Sequence, residues 1–100
     1  FDQRECPFGL MSLQASTGAT IGCESCEELW TPRSSHIGMT LNGVEIIGNG
    51  SGSHHELRKL NARLELMISA TRKCGGLYLY ANQRGCDGGR SYCDGCSMIV

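Results

Sequence analysis

The segment that most constrains the fold is an apolar helical stripe with a strand-like run on either side. Leu57, Leu60, Leu64, Met67, Ile68 and Thr71 recur at i, i+3, i+7, i+10, i+11 and i+14, the spacing of one helix face. Ser53 followed by Glu56 has the pattern of a capping box at its start. Arg72 and Lys73 suit the negative helix end, and Gly75-Gly76 follows as a stop. The spacing predicts a helix of about 20 residues, roughly 30 Å long at about 1.5 Å per residue. Its large apolar side chains, at about 1.5–3 kcal/mol each, need a sheet to lie on. Val44-Glu45-Ile46-Ile47 reads as a buried strand before it, and Leu77-Tyr78-Leu79-Tyr80-Ala81 as another after it.

Other elements fit around this unit. Residues 20–26 read as a short strand entering a turn at Pro32. Residues 34–41 read as a short helix, with Ser34 or Ser35 as cap and Asn42-Gly43 as stop. Residues 48–53 and 82–89 read as glycine-rich loops, and 97–100 as the beginning of a further strand. No element is predicted over 1–20. The alternation indicates an α/β layered architecture.

One hundred residues hold at most one domain. The sequence begins at Phe1 and stops at Val100 inside an apolar run, so residues 1–100 are expected to be part of a domain truncated at both ends. A net charge of −1 gives no electrostatic reason to expect nucleic acid or an anionic membrane as partner. No apolar run approaches the roughly 18 residues that span a bilayer. No basic-then-apolar stretch reads as a secretory leader, and the expected location is cytoplasmic. The seven cysteines are an odd number, which argues against a closed disulfide framework. They are expected to be reduced, most of them as small, half-buried hydrophobes.

Two Cys-x-x-Cys pairs, Cys23/Cys26 and Cys93/Cys96, invite a zinc reading. Zinc ribbons usually separate their pairs by about 15–20 residues, whereas a helix and several strands intervene here. His54 and His55 are adjacent, which is wrong for a zinc finger, and no metal site is assigned. A redox reading fares no better, because Glu24, Glu27 and Glu28 oppose thiolate formation. Gly48-x-Gly50-x-Gly52 ahead of a helix start is read either as a plain cap or as an anion site for phosphate or a small carboxylate. Cys26, at a strand end beside carboxylates and a tight turn, reads either as an inert buried thiol or as a candidate nucleophile, although no histidine is close in sequence. His36, His54 or His55 would have to approach it in space.

Three blocks carry a resemblance. They are Ile21-Gly22, Glu24 and Cys26-Glu27-Glu28-Leu29-Trp30-Thr31-Pro32; then Asn49-Gly50-Ser51-Gly52-Ser53-His54-His55 with Leu57-Arg58-Lys59; then Tyr78 to Arg90 with Tyr92-x-Asp94-Gly95-Cys96. Together, over about 20–100, they resemble the nitrilase (carbon–nitrogen hydrolase) superfamily. More narrowly, they resemble the glutaminase domain of eukaryotic-type glutamine-dependent NAD synthetases. The resemblance implies an α/β fold that is part of a nitrilase-like αββα sandwich, with Cys26 as nucleophile. It also places Ser53 and one of Arg58 or Lys59 at the amino-acid end of glutamine. The family's general base and lysine belong upstream of Phe1, so Glu27, Glu28 and Lys59 are not assigned those roles. Also implied are a C-terminal synthetase domain in the same chain that uses ATP and Mg²⁺, a homo-oligomeric assembly, and no cofactor bound by residues 1–100. The alternatives are another amidase of the superfamily or a zinc-binding cysteine-rich module. Gly18, Ser25 and Cys93 depart from the family pattern, and a polar Ser25 in a buried strand would cost about 1–3 kcal/mol unless hydrogen-bonded.

Overall fold

Alternation of side chains along three adjacent strands decides which face of the sheet is covered. In the computed structural model, which describes residues 2–100, the elements run in chain order as follows. β1 (Ser12–Gln14) and β2 (Thr20–Ser25) precede a short 3₁₀ helix (Cys26–Trp30) and α1 (Ser35–Leu41). β3 (Ile46–Ser51), α2 (Lys59–Cys74) and β4 (Leu77–Asn82) follow, then β5 (Arg84–Asp87), β6 (Ser91–Asp94) and β7 (Met98–Ile99). The main sheet has the order β1-β2-β3-β4-β7; its three central strands are parallel and its edge strands antiparallel. β5 and β6 form a separate antiparallel hairpin.

Gly22 and Glu24 of β2, Ile47 and Asn49 of β3, and Tyr78 and Tyr80 of β4 are buried on one face. Register aligns Glu24 with Asn49 and Asn49 with Tyr80. Leu29, Met39, Val44, Met67 and Ala70 complete the core on that face, contributed by the 3₁₀ turn, the two α-helices and the connection from α1 to β3. Gly22 lets α1 pack closely: a Cβ there would lie 2.7 Å from the Met39 sulfur and 3.1 Å from Val44 Cγ1, so the flexible Met39 side chain would have to shift. On the opposite face Cys23, Leu77, Leu79 and Ile99 are exposed, and Cys23, Gly48, Leu79, Met98 and Ile99 help line an apolar hollow of about 640 Å³. The described residues thus supply one helical layer and one sheet layer of an α/β sandwich. No described helix is long and apolar enough to cross a membrane.

Several expectations shift. β2 ends at Ser25, one residue earlier than predicted, and β3 occupies Ile46–Ser51, taking over most of the predicted glycine loop. Glycines there remain in a ladder because β2 and β4 pair with both of their edges. β5 forms inside the expected loop 82–89 and pairs with β6 beyond it, and β1 forms within the stretch for which no element is predicted. The long helix starts at Lys59, not after Ser53, giving 16 residues and a rod of roughly 24 Å. Ser53 and Glu56 are drawn into other contacts, and Arg58 adopts φ 67°, which interrupts any helix begun upstream.

The stripe also rotates. Leu57 lies before the helix and is 90% exposed, while Leu60 and Leu64 are 41% and 37% exposed. The buried set is Arg63, Met67 and Ala70, at i, i+4 and i+7. Ser25 is exposed, so the desolvation cost attached to it does not arise. Four of the seven free cysteines, Cys6, Cys23, Cys86 and Cys96, are exposed rather than half-buried.

Candidate active site

The chain leaves β2 through a sharp turn, and that turn is where Cys26 sits. Its φ of 44° lies in the left-handed region, which costs a residue with a side chain about 1–2 kcal/mol. Two neighbouring strand residues hold it there. Asn49 Oδ1 accepts the Cys26 N–H at 3.1 Å, and the Ser51 hydroxyl donates to the Cys26 sulfur at 3.4 Å. Among the described residues Ser51 is the thiol's hydrogen-bond partner; no histidine takes that place. Glu28 closes the turn, its carboxylate accepting the Ser25 N–H and, at 2.6 Å, the Ser35 hydroxyl. Glu28 is therefore committed to local structure, while exposed Glu27 lines the cleft in front of Cys26.

That cleft, about 620 Å³, brings together all four residues singled out from sequence: Cys26, Ser53, Arg58 and Lys59. Ser53 is buried and clasped on its main chain by Asn82, which accepts its N–H at 2.8 Å and donates to its carbonyl at 3.1 Å. Its hydroxyl accepts from Arg63 Nη2 at 3.0 Å. Arg63 is fully buried, stacks over the Tyr80 ring at 5.4 Å, and bonds Asp94 Oδ1 at 3.1 Å, an oxygen that Asn82 Nδ2 also reaches at 3.1 Å.

Lys59 is drawn inward. Its side chain is 14% exposed, its ammonium lies 5.8 Å from the Trp30 ring centroid, and it approaches the His54 ring and Glu56. Arg58, by contrast, is exposed on its left-handed backbone.

The charges respond to these contacts. Burial pushes the Glu24 carboxyl up, but hydrogen bonds from His36 and Tyr78 outweigh it and hold the group below the ordinary carboxylate range. Burial likewise raises Asp94, and the hydrogen bond and charge of Arg63 carry it below its ordinary value. A hydrogen bond from His54, with the Lys59 charge, lowers Glu56. Burial, followed by Glu24, pushes the Tyr78 hydroxyl far above the ordinary phenol range.

The paired cysteines do not converge. Cys23 points to the exposed sheet face, Cys26 to the cleft, and Cys93 is buried beside the bridge its backbone makes to His54. Among the described residues no three His, Cys, Asp or Glu side chains gather where they could hold a metal ion.

Residues 3–100 match the model of the carbon-nitrogen hydrolase family. The chain belongs to that family. Its sequence is 63% identical over 98 residues to the glutamine-dependent NAD(+) synthetase of Saccharomyces cerevisiae, covering 98% of this chain and 14% of that protein. Among solved structures, the chain is similar to a glutamine-dependent NAD(+) synthetase from Cytophaga hutchinsonii. That match has a TM-score of 0.80 and 28% identity, over 99% of this chain and 15% of the other. An amidase of the nitrilase superfamily from Nesterenkonia shares the fold at TM-score 0.76 and 17% identity, over 95% of this chain and 34% of the amidase. The chain thus spans about a seventh of the length of the curated relatives it matches.

Sequence reasoning missed Glu24, His36, Asn49, Tyr78, Arg63, Asn82 and Asp94 as parts of the site's support. A signal existed for some of them. Asn49 lies in phase with the apolar Ile47, and Arg63 lies in phase with Met67 and Ala70, so each is a polar residue on a buried face.

Proposed function

We propose that this chain is part of the glutaminase domain of a glutamine-dependent NAD synthetase. The observation that carries it is the gathering of Cys26, Ser53 and Lys59 around one cleft, in a chain 63% identical to such an enzyme. In this reading the thiolate of Cys26 attacks the side-chain amide carbon of glutamine. The tetrahedral intermediate collapses with loss of ammonia, and water then cleaves the glutamyl thioester to release glutamate. A general base and an oxyanion-stabilising lysine come from outside these residues. Ser53 and Lys59 hold the amino-acid end of glutamine. What favours Lys59 over Arg58 is its partial burial against Trp30, which fixes an ammonium at the cleft wall.

The ammonia serves amidation of deamido-NAD to NAD by a C-terminal domain of the same polypeptide, in a homo-oligomeric cytoplasmic enzyme. ATP and Mg²⁺ belong to that second reaction. Among the described residues no three His, Cys, Asp or Glu side chains gather to hold that metal. An amidase acting without a synthetase domain is less well supported, because the likeness to the Nesterenkonia enzyme is one of fold at 17% identity.

In the full-length protein, Cys26→Ala is expected to abolish NAD synthesis from glutamine and to spare synthesis from free ammonia. Equal loss with both nitrogen sources would sink the nucleophile assignment.

A further inference from the structure

We propose that Glu24, Tyr78 and Asn49 form a positioning chain that fixes the backbone of Cys26, with the carboxylate of Glu24 dictating the direction of every hydrogen bond in it. The inference rests on the reading of Cys26 as nucleophile.

The chain crosses three strands inside the covered face. Glu24 is buried, its side chain wholly so, and accepts the His36 N–H at 2.8 Å on Oε2. Its Oε1 accepts the Tyr78 hydroxyl, and His36 Nδ1 lies 3.1 Å from both oxygens. Because the Tyr78 proton is given to Glu24, the Tyr78 oxygen is left as an acceptor, and Asn49 Nδ2 donates to it at 2.9 Å. That orients the amide. Asn49 Oδ1 must face the other way, where it takes the Cys26 N–H at 3.1 Å, while Nδ2 also lies 3.5 Å from the Cys26 carbonyl. Cys26 needs such a grip because its φ of 44° is unfavourable for a residue with a side chain.

Glutamine at position 24 would invert this order. A backbone N–H can only donate, so the Gln oxygen would take the His36 N–H and the Gln amine would face Tyr78. The Tyr78 hydroxyl would then turn its proton toward Asn49, the amide would flip, and its NH2 would meet the Cys26 N–H donor to donor. A change of one atom at Glu24 is thus transmitted to the turn that carries the nucleophile. None of the three is the hydrogen-bond partner of the Cys26 sulfur, which is Ser51 among the described residues, so their role is positioning.

The test uses the full-length enzyme with Glu24→Gln, Tyr78→Phe and Asn49→Ala, each normalised to the ammonia-dependent NAD synthesis of the same preparation. Displacing a reacting group by about an ångström costs on the order of 100-fold. On that scale kcat for glutamine hydrolysis is expected to fall roughly 100-fold in Asn49→Ala and about 10-fold in the other two, with KM within about threefold. Should Asn49→Ala fail to fold, the two nearly isosteric variants carry the test. Unchanged kcat per folded enzyme in Glu24→Gln overturns the proposal, even if that variant is less stable. A rise in KM at constant kcat overturns it too. The underlying reading fails separately, if Cys26→Ala still hydrolyses glutamine.

Discussion

Two buried polar networks support the cleft, one behind Cys26 and one behind Ser53. Behind Cys26 the carboxylate of Glu24 is satisfied by the His36 backbone and ring and by the Tyr78 hydroxyl, and its influence passes through an amide to a main-chain N–H. Behind Ser53 the carboxylate of Asp94 faces a guanidinium directly, and Arg63 reaches the serine hydroxyl with the same Nη2. The first network transmits orientation through hydrogen-bond polarity. The second transmits it through charge, and Arg63 must be desolvated completely to do so. A buried ion pair of this kind is costly to break on one side, because the remaining charge and acceptors lose their partner. Position is therefore secured at Cys26 by a directed chain of hydrogen bonds, and at Ser53 by an ion pair.

The largest expected effect separates the two. Arg63→Ala in the full-length protein should destabilise it by about 3–5 kcal/mol, seen as a lower denaturant midpoint, because Asp94 and Ser53 lose their donor and a cavity opens beside Tyr80. A loss below about 1 kcal/mol would mean that the ion pair contributes little and the contrast is wrong.

Acid titration should show both networks together. Glu24 and Asp94 are held below their ordinary values of 4.5 and 3.8, so the unfolded chain takes up protons first as pH falls. Their contribution to stability is present above about pH 5 and is lost as pH drops through the depressed folded-state values. Unfolding midpoints measured from pH 6 to pH 3 should fall below about pH 4.5, and Glu24→Gln should flatten part of that fall.

The smallest effect is expected at the rim. Glu56 is exposed, and its contacts with His54 and Lys59 are screened by water, so Glu56→Gln should leave the melting temperature unchanged. A clear loss would place a third structural network at the cleft mouth.

These contrasts also show what could be read from residue order. Strands β2 and β4, helix α1 and the presence of a long helix were legible because their periodicities are local. The start of α2 was not. Ser53-x-x-Glu56 is a sound cap in isolation, yet Ser53 is claimed by Asn82 and Arg63, and Asn82 lies 29 residues further along the chain. The buried stripe was misphased for a related reason. Arg63 counts as polar in any periodicity, but Asp94 and the Tyr80 ring make its burial feasible and leave Leu60 and Leu64 on the outside. The hairpin of β5 and β6 was not legible because half of its strand residues are exposed and they carry no apolar alternation.

The family resemblance supplied Ser53, Arg58 and Lys59 as companion candidates for Cys26, while local sequence determined that the chain is a layered α/β unit with Cys26 at a strand end. Those features depend on residues near one another in the chain, where propensity and motif spacing act. Tertiary structure decided that Cys26 takes a left-handed backbone under the grip of Asn49, that Lys59 rather than Arg58 turns inward, and that Glu24 and Arg63 are buried. The physical reason is that a polar side chain enters the interior only when partners meet it there. For Glu24 and Arg63 those partners lie 10–54 residues away along the chain, brought into reach by the tertiary fold.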